Sequence, residues 1–259
     1  MTYLWLGLLG LAVGGFGTII GAGGGFLLMP ILAALYPTEP PAFLASMSLA
    51  VVFFNAASGS VGYARMKRID YRAGLIFSAA TVPGAIVGAI ATGYLPRKTF
   101  DLLLAAAIIA GAIFILFSSS KRRGQSGQAH DEHAPRKYNM PLGIAISLVV
   151  GFISSLLGIG GGIVHVPALV FLLHFPVHIA TATSHFVLAI TAATGTGVHL
   201  WEGSFAGHGL RRTLALAIGV VIGAQIGARI STKTPHTLIM RSLAVALIAV
   251  GIRIVWQNW

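Results

Sequence analysis

The stretch GAGGGFLLMPIL, Gly21 to Leu32, returns 137 positions later as GIGGGIVHVPAL, Gly158 to Leu169. In each copy three consecutive glycines interrupt an apolar run that otherwise reads as helix, and a proline follows at the same offset, Pro30 and Pro167. The chain is therefore read as one template used twice. Backbone broken in this way leaves amide groups that hydrocarbon cannot hydrate, so it is tolerated only where protein buries it or where it lines a wet cavity. Glycine-interrupted apolar segments at corresponding positions of two halves are the sequence pattern of a solute site between the halves of a membrane carrier.

The surrounding sequence requires a membrane. Charged residues make up 9% of the chain and mean hydropathy is +0.87, against roughly 25% charged residues in soluble domains. Apolar runs cover approximately 2–20, 25–36, 42–63, 73–95, 99–118, 140–157, 162–175, 179–201, 210–230 and 237–256. This predicts an all-α polytopic membrane protein of two repeats, each with a glycine-broken first segment plus three full spans, about eight to ten helical segments in all. The amino terminus has no basic start and no small-residue cleavage site, so the first run reads as part of the repeat and not as a removable signal. Trp201, Trp256 and Trp259 fit an interfacial aromatic belt. The formal charge of +11 lies between apolar runs without interleaved aromatics, which fits a positive-inside membrane protein and excludes a nucleic-acid binder. No cysteine is present, so disulfides and thiolate metal sites are excluded.

The repeat continues beyond the glycines. Ser48 corresponds to Ser184 and Gly59 to Gly195; with a slightly longer offset Arg72 corresponds to Arg211, Gly84 and Gly88 to Gly223 and Gly227, and Pro96 to Pro235. A first repeat over 1–120, a polar basic linker over 121–139 and a second repeat over 140–259 follow. The linker, with Arg65, Lys67, Arg68 and Arg72, is expected on the cytoplasmic side of the cell membrane. Charge fits parallel and inverted halves equally. Length favours inversion: as one helix, residues 2–36 would be roughly 50 Å long against about 30 Å of hydrocarbon, whereas folding back at the glycines gives each half five segments, and an odd number inverts the second half.

Gly23, Gly24 and Gly25, with Gly160, Gly161 and Gly162, offer two backbone nests at helix starts, where free N–H groups and the helix dipole favour an anion. Gly84, Gly88, Gly223 and Gly227 have the spacing of four that serves helix packing instead. A nucleotide loop is excluded, because the third glycine of G-x-G-x-x-G would fall on Phe26 or Ile163. Ser48, Asn55 and Ser58 share one helix face, and Ser184, Thr191 and Thr194, with Thr183 beside them, repeat the spacing. Serine and threonine in helices often bond their own carbonyls; Asn55 is the stronger candidate ligand.

No Asp or Glu falls in mid-span, which suits an anion site and leaves histidine as the group for any proton coupling. His185, next to Ser184, is the first candidate, with His165 and His199 after it; a neutral structural histidine is the competing reading for each. Arg229 and Arg241, near span ends, read as snorkelling residues. The Gly124-Gln125-Ser126-Gly127 motif lies in the hydrophilic linker, where a membrane nucleophile has no use. His130, Asp131, Glu132 and His133 read as solvated, so no metal and no cofactor is expected.

The duplicated G-x-G-G-G-x-x-x-x-P segments, Ser48 and Ser184 on the following helix, and the later G-x-x-x-G helices resemble the TauE/SafE family of sulfite and organosulfonate exporters, over nearly the whole chain. The second-half Thr183-Ser184 matches that family's pair after the glycine turn; the first half has Met47-Ser48. The resemblance implies a transporter of small anions such as sulfite or an organosulfonate, working by alternating access with its site between the repeats. The residues also admit an anion channel. A membrane enzyme is disfavoured, because Ser184 and His185 point some 100° apart on a helix. Expected partners are a small anion and the lipid bilayer.

Overall fold

A computed structural model describes residues 2–121, 138–205, 209–230 and 236–257. The Gly124–Gly127 motif and the His130–His133 cluster lie outside them. Among the described residues all regular structure is helical: α1 (Thr2–Ile20), α2 (Gly25–Leu35), α3 (Pro41–Arg65), α4 (Tyr71–Thr92), α5 (Arg97–Lys121), α6 (Met140–Leu157), α7 (Gly162–Phe171), α8 (Val177–Trp201), α9 (Gly209–Ile230) and α10 (His236–Gln257). Among the described residues α1, α3, α4, α6, α8 and α9 are long and apolar enough to cross a membrane. The chain is a multi-pass membrane protein.

Local chemistry sets the helix ends. Pro41 opens α3, where its missing N–H costs nothing. Asp70 caps α4 by accepting the Ala73 N–H at 3.0 Å, and Asn139 caps α6 through Leu142. The apolar pattern carries the seventh segment to Phe175, but α7 stops at Phe171: His174 takes a left-handed φ of 59° and the Phe175 N–H returns to the Leu169 carbonyl.

Contacts give the helix directions. α1, α3 and α9 run together: Gly10 lies on Leu216, Gly14 on Val220, Phe43 on Gly209 and Gly62 on Ala228. α4, α6 and α8 run together in the same way, with Gly84 on Leu148, Gly88 on Phe152, Asp70 on Thr183 and Thr81 on Thr191. The two sets cross antiparallel where Gly59 meets His185 and Gly195 meets Leu49. A methyl group at Gly84 or Gly88 would strike an α6 backbone carbonyl, and one at Gly223 or Gly227 an α1 carbonyl. These are packing glycines, as their spacing predicts.

α2 folds back along α1. Its start, Gly24, packs on Val13, and its far end is held by Arg97, which bonds the carbonyls of Ala33, Tyr36 and Glu39 and the Asp101 carboxylate. α7 folds back along α6 likewise, with Gly161 on Val150 and Leu173 beside Gly143. One end of the molecule carries Arg65, Lys67, Arg68 and Arg72. The other carries Arg97 and Arg212, the latter 4.4 Å above the Tyr36 ring and 3.9 Å from Glu39.

Candidate site at the meeting of the two glycine turns

The fold-backs bring both glycine turns to the middle of the molecule and press them together. Gly25 packs on the Ile159 carbonyl and Gly162 on Ala22 and the Gly21 carbonyl. Val52 and Leu188, each halfway along a 25-residue helix, flank both turns, touching the Cβ positions of Gly23 and Gly160. All ten residues of the two turns, 21–25 and 158–162, are buried. Gly21, Gly23, Gly24, Gly158 and Gly160 hold φ between 65° and 79°, the left-handed region in which glycine alone is unstrained. Gly161 and Gly162 are excluded from bearing side chains by contact instead: a methyl at Gly161 would strike Val150, and one at Gly162 would lie 2.5 Å from the Ala22 Cα.

Backbone donors collect here. The N–H groups of Gly24, Gly25 and Phe26 at the start of α2, and of Gly160 and Ile163 around the start of α7, donate to no atom of the described residues. The Gly161 N–H goes to Ser154 Oγ at 2.7 Å, and the Gly162 N–H to the Gly160 carbonyl. Unpaired N–H groups at a helix start form the positive end of its dipole.

Three groups of polar side chains surround the turns. Asn55 accepts from Thr18 Oγ1 at 2.8 Å, while its Nδ2 is buried without a partner and lies 3.2 Å from the Cβ position of Gly24. His185 is fully buried, its ring edge-on to Tyr63 at 5.6 Å, and neither ring nitrogen has a partner among the described residues. Tyr63 donates its hydroxyl to the Thr18 carbonyl at 2.7 Å. In the second group His165 joins Ser147, 3.2 Å from Nε2, to Ser184, 3.3 Å from Nδ1. The third is Thr191, 2.7 Å from Thr81 Oγ1. His165, Ser184, Thr191, Thr81, Gly161 and Gly162 line a cavity of about 10 Å³, enough for a single water.

Other expected site residues lie apart. Ser48 donates to the Gly158 carbonyl at 2.5 Å and so braces a turn. Thr183 accepts the Asp70 N–H at 3.0 Å and fastens the 66–70 loop to α8. Ser58 bonds Val221 and Gln225 of α9, and Thr194 bonds its own helix at Ile190. His199 sits at the far end of α8, 3.6 Å from Glu202, whose carboxyl is raised by partial burial.

Thr18, Tyr63, Thr81, Ser147 and Ser154 join this network although spacing on their own helices does not mark them. One usable signal exists, for Thr18: it stands 137 positions before Ser155, the neighbour of Ser154, which is the offset of the glycine turns, and each lies shortly before its turn.

The chain matches the sulfite exporter TauE/SafE family over residues 6–254. It belongs to that family. It is 30% identical to the probable membrane transporter protein YunE of Bacillus subtilis (strain 168), covering 100% of this chain and 99% of that one. A probable membrane transporter protein of Xylella fastidiosa (strain 9a5c) is 27% identical over 98% of this chain and 93% of its own, and MJ0441 of Methanocaldococcus jannaschii 29% identical over 73% and 68%. No solved structure matches significantly. As a TauE/SafE member the chain is a membrane transporter and not an enzyme.

Proposed function

We propose that this transporter moves a small oxyanion, sulfite or an organosulfonate, through a site formed by the two glycine turns between α3 and α8, and that the halves form an inverted repeat. The observation that carries the reading is the concentration of buried, unpartnered donors at the meeting of two half-helix starts. Buried polar groups without partners are rare and costly. Here Gly24, whose N–H is unpaired like those of Gly25 and Phe26, lies beside Asn55 Nδ2, and among the described residues the one buried carboxylate, Asp101, is held by Arg97 at the far end of α2. Donors without acidic neighbours favour an anion over a cation.

The inverted arrangement is supported by the exchange of packing partners. α1 runs parallel to α9 as α6 does to α4, and α3 crosses α8 antiparallel. With the basic 65–72 end inside, the two half-helices α2 and α7 enter from opposite faces. Alternating access then needs one fold-back at a time to part from its neighbours. The buried turns and the cavity of only about 10 Å³ beside them fit a closed form of such a carrier.

The test is flux in proteoliposomes with sulfite, sulfoacetate, taurine, thiosulfate and sulfate, alongside planar-bilayer recording. Saturable uptake of one or more of these anions, without single-channel currents, is expected. Discrete currents would make the protein a channel; saturable transport of only neutral or cationic solutes would overturn the anion reading.

A further inference from the structure

We propose that the cleft between α2 and the end of α10 is a binding site for an anionic phospholipid of the outer leaflet, with its phosphate on Arg253 and an acyl chain along α2. The cleft has a volume of about 250 Å³. Its wall is apolar on two sides, from Ile31 and Leu35 of α2 and Val250 and Ile254 of α10. The polar groups are confined to one end. Two of them neutralise each other, because Arg97 is bonded to both Asp101 oxygens at 2.9 and 3.0 Å, while its Nη atoms donate to the carbonyls of Ala33, Tyr36 and Glu39. Arg253 is exposed and has no acidic or carbonyl partner among the described residues. One uncompensated cation thus stands at the rim of an apolar slot.

Depth selects the ligand. Trp256, 82% exposed, lies three residues beyond Arg253 on α10, about 4.5 Å further along the helix. Exposed tryptophan at a span end marks the headgroup level, which puts Arg253 at phosphate depth and the slot below it among acyl chains. This end is opposite the basic 65–72 loop, hence in the outer leaflet. A soluble anion would find the cation but would leave the apolar wall unfilled; a zwitterionic lipid would fill the wall, but its own ammonium already offsets the phosphate offered to Arg253, so a net-anionic headgroup matches the cation better. A basic pocket between membrane helices that also offers apolar wall is the pattern of an anionic lipid site.

The experiment is native mass spectrometry of the full chain released from nanodiscs of equal phosphatidylglycerol and phosphatidylcholine, with lipid retention read for wild type, Arg253→Gln and Ala34→Trp. Ala34 is exposed and lines the slot, so tryptophan there fills it while the arginine is kept. Wild type is expected to retain phosphatidylglycerol preferentially, Arg253→Gln to lose about fivefold of that preference, the worth of one cation at an anionic membrane surface, and Ala34→Trp to retain little of either lipid. Equal retention of both lipids by wild type, or an unchanged preference in Arg253→Gln, would overturn the proposal. So would displacement of the bound lipid by millimolar glycerol phosphate, which would assign the cleft to a soluble anion. None of these outcomes depends on which solute is transported.

Discussion

Asn55→Leu separates stability from function at the site. The wild-type amide makes one bond, from Thr18 Oγ1 at 2.8 Å, and leaves Nδ2 buried and unpaired. An unsatisfied buried donor costs about 1–3 kcal/mol, and an ordinary hydrogen bond contributes about 0.5–1.5 kcal/mol net. Leucine has nearly the same shape, removes the unsatisfied donor and forfeits the one bond, whose hydroxyl can turn to its own helix carbonyl. The variant is therefore expected to be between neutral and about 2 kcal/mol more stable than wild type. Against this, a hydrogen bond to an anionic ligand is worth about 1.5–3 kcal/mol, so affinity should fall between about tenfold and about 150-fold. Thermal unfolding in detergent with and without sulfite, together with isothermal titration, reads both quantities. A variant that is clearly less stable and binds the anion as wild type does would make Asn55 a structural amide and remove the argument from unpaired donors.

Gly24→Val, at φ 76° and with its Cβ position 2.8 Å from Val13, and Gly161→Val, which would strike Val150, should each abolish anion binding, whereas Gly197→Ala, with open space around it, should be neutral; uptake retained in both valine variants would refute this. His185→Gln should flatten the pH dependence of transport between about pH 5 and 8 while anion binding persists, since the ring packs against Tyr63 and Gly59; an unchanged profile makes it a structural histidine. Arg97→Gln leaves Asp101, 11% exposed in its side chain, without its cation and the end of α2 without its cap. A loss of about 2 kcal/mol is expected, read as a fall of about 4–8 °C in unfolding midpoint, and Arg97→Lys should rescue little of it because lysine lacks the guanidinium fork.

All ten helical segments were legible in the sequence because lipid leaves a chain few options: apolar runs must be helical, and glycine triplets must break them. The site was legible in part, for a different reason. Helical spacing says which side chains share a face but not which neighbour the face meets. Ser48, Asn55 and Ser58 do share a side of α3, yet they reach the Gly158 turn, Thr18 and α9 respectively. Thr183 holds a loop and Thr194 its own helix, the outcome helix chemistry favours for isolated hydroxyls. Thr81 carries no mark in the sequence because its partner, Thr191, is 110 positions away. The glycine triplets carried two meanings at once, since the same residues that free N–H groups at the helix starts also allow one turn to lie on the other's backbone.

The pairing of α1 with α9 has a consequence during synthesis. α1 ends at Ile20 and α9 begins at Gly209, so about 190 residues must be made before the partner exists. At about 5–20 residues per second the first helix waits roughly 10–40 s. Throughout that interval Gly7, Gly10 and Gly14 offer their grooved side to lipid or to the insertion machinery. α6 has no such delay, because α4 precedes it and can receive it on emergence. Assembly thus has an order that the finished molecule hides: the second half docks on a fourth helix already in place, and the oldest helix is enclosed only when the ninth arrives.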